Sequence, residues 1–298
     1  MLPLVDTHQH MWDLEQFSLS WLKDPSLKQL KKNFSMSDYL KASSESEISA
    51  TVYMEVDVDP TQREEEADFI IEICRQEDNP MAGAVLGGNP DDDGFAAYAT
   101  RFKENPYVKG FRQVLQTPKT PRGHCLGPKF VRGVRALGEI DKSFDLCMRP
   151  SELSDGVQLV DRCPDTLIIV DHCGNADPMV VNGSVSPDPN DPYFHNASQW
   201  RRDIAALAKR KNTVCKISGV VARAPSGWHP EILAPTVEHC LDSFGPDRVV
   251  FGGDWPVCTF GAPLADWISG LRQIVSSKPQ EEQRRLFHKN AQRLYKLT

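Results

Sequence analysis

The chain has 298 residues, and its 34 Lys and Arg against 41 Asp and Glu leave a formal net charge of −7. With 40 % hydrophobic and 25 % charged residues it is too apolar for intrinsic disorder, yet no window reaches the roughly 18 unbroken apolar residues of a membrane-spanning helix. The acidic balance argues against nucleic acid, which is bound by basic, phosphate-neutralising surfaces.

The opening residues MLPLVDTHQH carry neither a basic stretch nor an apolar core, so no signal peptide is expected. They begin a series of eight short β-rich runs: LPLVDTHQH (2–10), ATVYMEVDV (50–58), AGAVLGG (82–88), VKGFRQVL (108–115), FDLCMRP (144–150), TLIIVDH (166–172), TVCKISGV (213–220) and RVVFGGDW (248–255). Each is apolar on both faces, as strands of a parallel sheet covered on both sides are. Amphipathic helical segments lie between them at 63–76, 94–105, 129–140, 198–211 and 230–244. Two more, 264–275 and 281–297, follow the last run.

Such alternation allows an open doubly wound sheet or a (β/α)8 TIM barrel. The barrel is the α/β fold expected here, because polar residues gather at the C-terminal ends of the runs. A barrel takes about 250 residues. The surplus falls in two insertions, 11–47 and 173–197, so residues 1–298 read as one domain. Both insertions are expected to wall a pocket. The first brings Trp12, Phe17, Trp21 and Leu22; the second is a Pro-, Asn-, Asp- and Gly-rich loop too long for a simple connection.

Strand ends in a barrel share one site. The first run ends in Asp6, His8 and His10, the second offers Glu55 and Asp57, and the fourth Arg112 and Gln113. Arg149 closes the fifth, Asp171 and His172 the sixth, Lys216 and Ser218 the seventh, and Asp254 with Trp255 the eighth. His8 and His10, two apart on a strand, turn their rings to one side, which suits a divalent metal or an oxyanion. Asp254 ends an apolar run, where a carboxylate without a partner is costly, so a metal, cation or histidine should face it. His172 is either a third member of this group or a core histidine bonded to a carbonyl. Arg112, Arg149 and Lys216 either bind oxygen-rich or anionic ligand groups or form salt bridges inside the barrel. His124 and His195 read as loop residues within reach.

The series DTHQHMW, YMEVDV, GFRQVLQ, VDHCGNAD, CKISG, FGPDRVVFGGDWPV and NAQRLYKL resembles, in order and over essentially the whole chain, the amidohydrolase-related (amidohydrolase 2) family of the metal-dependent hydrolase superfamily. Within it the similarity is to the sugar lactonase, L-fuconolactonase-like, branch. The resemblance implies an amidohydrolase-type barrel that opens a lactone ring by attack of water, with Asp254 as general base. His8, His10 and His172, with Asp254, would hold zinc or manganese or polarise the carbonyl directly. Glu55, Arg112, Arg149, Lys216 and Trp255 would bind substrate. FRQVL and CMRP offer arginines where binuclear members carry a bridging Lys or Glu, so one metal at most is implied, with metal-independent catalysis as the alternative. A zinc-dependent decarboxylase of an aromatic acid, or a non-catalytic barrel that binds a sugar acid, are the competing functions.

The eight cysteines form no C-x-x-C pair, so neither a zinc ribbon nor a redox pair is expected. Most sit in apolar runs, as buried thiols of a reduced, cytoplasmic protein do. The expected partner is a small-molecule substrate, with a homo-oligomer compatible and neither nucleic acid nor membrane involved.

Overall fold

The structure, a computed structural model, describes residues 3–191 and 193–297. Leu2, in the first predicted run, and Pro192, in the second predicted insertion, lie outside the described residues. Eight parallel strands follow one another in a single sheet: β1 (Leu4–Gln9), β2 (Ile48–Met54), β3 (Met81–Gly87), β4 (Val108–Val114), β5 (Ser143–Cys147), β6 (Ile168–Val170), β7 (Thr213–Ile217) and β8 (Val249–Phe251). One face of each strand packs on the helices. The other face of β1, β2, β3, β6, β7 and β8 contributes to a small inner cluster that includes Val5, Val52, Val85, Ile169, Val214 and Val250.

The ring closes where β8 returns to β1, and the hydrogen bonds there come from the motif residues themselves. Asp254 N–H donates to the His8 carbonyl at 2.7 Å and His10 N–H to the Trp255 carbonyl at 2.8 Å; the Thr7 hydroxyl donates to the Phe251 carbonyl at 2.6 Å. The buried Asp6 carboxylate accepts from Gly253 N–H at 2.7 Å, His8 N–H at 3.0 Å and the Tyr39 hydroxyl at 2.9 Å. Only glycine allows this approach, since a Cβ on Gly253 would lie 2.3 Å from Asp6 Oδ2.

Helices form at Arg63–Arg75, Pro128–Glu139, Ala197–Ala208, Pro230–Phe244 and Leu264–Ile274, close to the bounds predicted from periodicity, whereas the segment predicted over 94–105 is helical only at Phe95–Thr100 and continues as turns. The segment predicted as one helix over 281–297 is three pieces, with a π-helical turn at Arg285–Lys289 between Gln280–Arg284 and Asn290–Leu294. This segment sets Phe287 against Phe251, with ring centroids 5.8 Å apart, and aims the Asn290 amide at the Pro246 and Val249 carbonyls, both at 2.8 Å. A further helix, Leu153–Arg162, follows β5. Its Ser, Asp and Gly have weak helical propensity, and burial of Leu153, Leu159 and Val160 overrides it. In the first insertion, helix Met36–Ala42 starts from a capping box between Ser35 and Asp38. Among the described residues no helix is long and apolar enough to cross a membrane.

Gly133 lies inside helix Pro128–Glu139, where alanine is ordinarily favoured by about 1 kcal/mol. A Cβ there would meet the Pro90 carbonyl oxygen at 2.1 Å, and backbone cannot yield as a flexible side chain can. Gly133→Ala should therefore lower stability by about 1–3 kcal/mol in urea denaturation; a raised midpoint would refute this packing.

Candidate active site

Four of the residues singled out from sequence meet at the C-terminal end of the barrel. Asp254 Oδ1 lies 3.6 Å from His8 Nε2 and 3.5 Å from His10 Nε2, while Asp254 Oδ2 lies 3.9 Å from His172 Nδ1. His10 Nδ1 sits 2.9 Å from the Met54 carbonyl. A carbonyl only accepts, so the ring carries a hydrogen on Nδ1 and turns Nε2 toward Asp254. Asp254 itself adopts φ +55° directly after Gly252 and Gly253.

His172 is aimed by a left-handed turn in which His172, Cys173, Gly174 and Asn175 have φ of 52°, 51°, 69° and 57°. Each non-glycine residue in this conformation costs about 1–2 kcal/mol, so the turn depends on its surroundings. The Trp200 indole donates to the Cys173 carbonyl and the Asn175 amide to the Met148 carbonyl, both at 2.9 Å. Cys173, Cys215 and Cys240 bring their buried sulfurs within 4.8 Å of one another. Their wide separation in sequence hid this cluster. All eight cysteines are free and buried.

Buried charges set the protonation of the histidines. Lys216 Nζ, sealed from solvent, lies 2.6 Å from Asp145 and 3.0 Å from Asp171. Burial works against an ionised Asp171, but Lys216 and then His8 outweigh it and hold this carboxyl well below the usual range; burial pushes Asp145 up to about 7. Burial, followed by Lys216 and His172, keeps the His8 imidazole well below its ordinary value, and burial lowers His172 too. Both rings are neutral at pH 7. Arg112 Nε donates to Glu55 Oε1 at 2.6 Å, and its Nη1 comes within 3.4 Å of His8 Nε2.

Above this group opens a cavity of about 290 Å³ that His10, Arg112, His172 and Asp254 help to line. The expected substrate-binding set needs correction. Arg112 reaches the cavity, but Glu55 is spent on Arg112 beneath it, and Lys216 is locked between two aspartates. Arg149 pairs with Glu152 and donates to the Thr117 and Thr120 carbonyls, clamping a loop from outside the cavity lining. Trp255 packs edge-on against Phe34 and Tyr39. Each of these side chains found a partner that strand-end position alone does not disclose. Trp12 and Trp21 do wall the cavity, whereas Phe17 and Leu22 join the core. His195 bonds within its own loop and His124 faces Asp91. Sequence reasoning missed Gln116, Tyr193, Arg223 and Phe260, all cavity residues on loops beyond the strand ends, where no periodicity marks them.

The donors fit one divalent ion. The ligand atoms of His8, His10 and Asp254 lie within 4.8 Å of one another, and His10, held through Nδ1 by the Met54 carbonyl, turns its other ring nitrogen to a carboxylate, an arrangement suited to a cation. His8, Asp171 and His172 form a second grouping, but Asp171 is already committed to Lys216.

An amidohydrolase family model matches residues 5–297. The L-fucono-1,5-lactonase of Burkholderia multivorans is 26 % identical over 284 residues, covering 92 % of this chain and 89 % of that one. The L-rhamnono-gamma-lactonase of Scheffersomyces stipitis is 22 % identical over 345 residues, covering 99 % and 98 %. A crystal structure of an amidohydrolase from Burkholderia multivorans with bound zinc has the same fold, with a TM-score of 0.83 at 23 % identity and coverage of 99 % and 100 %.

Next to Glu55 lies a second buried carboxyl, Glu66, which accepts from the Tyr53 hydroxyl and Val56 N–H, both at 2.9 Å. Burial and then Glu55 push it up to about 8 from an ordinary 4.5. The folded protein therefore keeps a proton that the unfolded chain releases, and stability is lost as pH climbs from about 4.5 to about 8. Glu66→Gln should flatten that part of the decline, seen as a smaller drop in Tm across this interval than in the wild type.

Proposed function

We propose, because the chain belongs to the amidohydrolase family, that it is a hydrolase that opens the ring of a small lactone by attack of water, with Asp254 as general base. The observation that carries this is the division of labour within one carboxylate. Asp254 Oδ1 is turned toward His8 and His10, while Oδ2 lies toward His172, free to accept a proton. The lactonase names of two relatives support a cyclic ester. The free cysteines agree with a reducing cytoplasm.

Asp254 Oδ2 takes a proton from water as the water oxygen bonds to the lactone carbonyl carbon. The electron pair displaced onto the carbonyl oxygen is stabilised by the Arg112 guanidinium and the neutral His172 imidazole, charge and dipole already in place before the reaction. Collapse of the tetrahedral species breaks the ring carbon–oxygen bond. Asp254 then returns its proton to the departing ring oxygen, leaving a hydroxy acid. His8, His10 and Asp254, with His172 beside them, would hold a zinc or manganese ion, which when bound supplies Lewis acidity toward the carbonyl oxygen.

Asp254→Asn keeps the shape of the side chain and removes the base. It should fold with an unaltered circular dichroism spectrum and lose about 10²–10⁴-fold in rate in a pH-indicator screen of neutral and carboxylate-bearing lactones; rates within a few fold of the wild type would remove Asp254 from this role. His10→Asn deletes one donor and should weaken zinc binding at least about tenfold in calorimetric titration. Unchanged affinity would exclude the His8, His10 and Asp254 set as the site.

A further inference from the structure

The order of strands around the barrel turns a list of cavity residues into a map. Loops from β8 and β1, neighbours across the seam, contribute Val257, Phe260, Trp12, Trp21, Leu27 and Leu30. This half of the mouth is apolar, and it is rigid: the Trp12 indole donates to the Lys32 carbonyl and the Trp21 indole to the Val56 carbonyl, both at 2.7 Å. The loops after β4, β6 and β7 supply Gln116, Thr117, Asn175, Tyr193 and Arg223, a polar stretch whose β7 end adjoins the Val257–Phe260 turn.

Two arginines reach this cavity. The charge of Arg112 is met by Glu55 at 2.6 Å and Asp171 at 3.6 Å. Arg223 is different. Among the described residues no carboxylate oxygen comes within 4.0 Å of it, and its contact is with a ring, its Cζ lying 4.7 Å from the centroid of Tyr193. Stacking holds the guanidinium plane while leaving its N–H edge open. The residue is half-buried, at the end of the turn Val220–Arg223 that Gly219 starts with φ +70°. Tyr193 is held in turn by its own loop, since the His195 Nδ1 meets the Tyr193 carbonyl at 3.0 Å. A partly desolvated cation, fixed in place and lacking an acid, is a preformed half of a bidentate pair with a carboxylate.

We propose that Arg223 is a specificity-determining residue, and that the substrate is a lactone bearing a carboxylate on one edge and an apolar face or substituent on the other. This rests on the lactonase function proposed above and goes further by naming the class of lactone. The carboxylate docks on Arg223, the apolar side lies against the two tryptophans, and the ring ester is left over Asp254. A neutral polyhydroxy lactone would leave Arg223 unmatched and set hydroxyls against Trp12 and Trp21.

The test compares a five-membered lactone carrying a ring carboxylate with the same ring carrying a hydroxymethyl group, in the wild type and in Arg223→Met. A charged hydrogen-bonded pair corresponds to about 10–100-fold. The wild type should favour the carboxylate lactone in kcat/KM by at least about tenfold, mainly through KM, and R223M should erase that preference. Equal efficiency on both lactones, or equal losses on both in R223M, would overturn the proposal while leaving lactone hydrolysis intact. If neither ring is opened, the lactonase function fails on its own. The Arg223 subsite is then judged by quenching of Trp12 and Trp21 fluorescence with cyclohexanecarboxylate against cyclohexanol. Saturable quenching by the acid alone, lost in R223M, upholds it; no quenching, or quenching unaffected by R223M, overturns it.

Discussion

The Asp6 carboxylate, shut away from solvent, gathers three donors: the backbone N–H of His8 on its own strand, the backbone N–H of Gly253 across the seam, and the hydroxyl of Tyr39 from the first insertion. Burial raises this carboxyl to about 6, against the pull of those same hydrogen bonds. A buried acid is tolerable only when so fully bonded, and here the bonds locate the site. His8 follows Asp6 on β1 and His10 lies just past its end, and Asp254 follows Gly253. The distances between imidazoles and carboxylate are thus set by main chain held to main chain, which is stiffer than any arrangement of rotamers.

The buried cations serve this arrangement from below. Lys216 keeps Asp171 ionised, Asp171 lies 3.6 Å from His8 Nδ1, and Arg112 approaches the opposite ring nitrogen. Burial holds the His8 and His172 imidazoles below their ordinary values although acids surround them. Apart from Arg112, none of these contacts involves the residues that line the cavity, which belong to separate loops with their own hydrogen bonds. The cluster at the barrel end and the outer wall of the cavity thus rest largely on different sets of interactions, so one can change without disturbing the other.

All eight strands were legible because a strand covered on both faces is apolar throughout, and no other element of this chain has that signature. Helix Leu153–Arg162 was not, since its Ser-Asp-Gly sequence suppresses the local signal and only packing rescues it. The seam residues Asp6, His8, His10 and Asp254 were legible from their place at strand ends. The fate of each cation was not. Lys216 and Arg149 occupy strand ends as Arg112 does, but whether a long side chain reaches ligand or is captured by an acid depends on neighbours remote in sequence, such as Asp145. Arg223 sits beyond a strand in a tight turn, where neither pattern nor spacing sets it apart from an ordinary surface arginine.

Gly253 and Asp6 are 247 positions apart, and that distance has a temporal meaning. During synthesis at about 5–20 residues per second, roughly 12–50 s separate the emergence of β1 from that of its last neighbour. Until then β1 can pair on one side only, through β2, and its other edge, with the Asp6 carboxylate, waits open to any extended chain nearby. Until β8 emerges the nascent chain lacks the cluster of His8, His10, His172 and Asp254, and through that interval its open edge exposes it to misassembly.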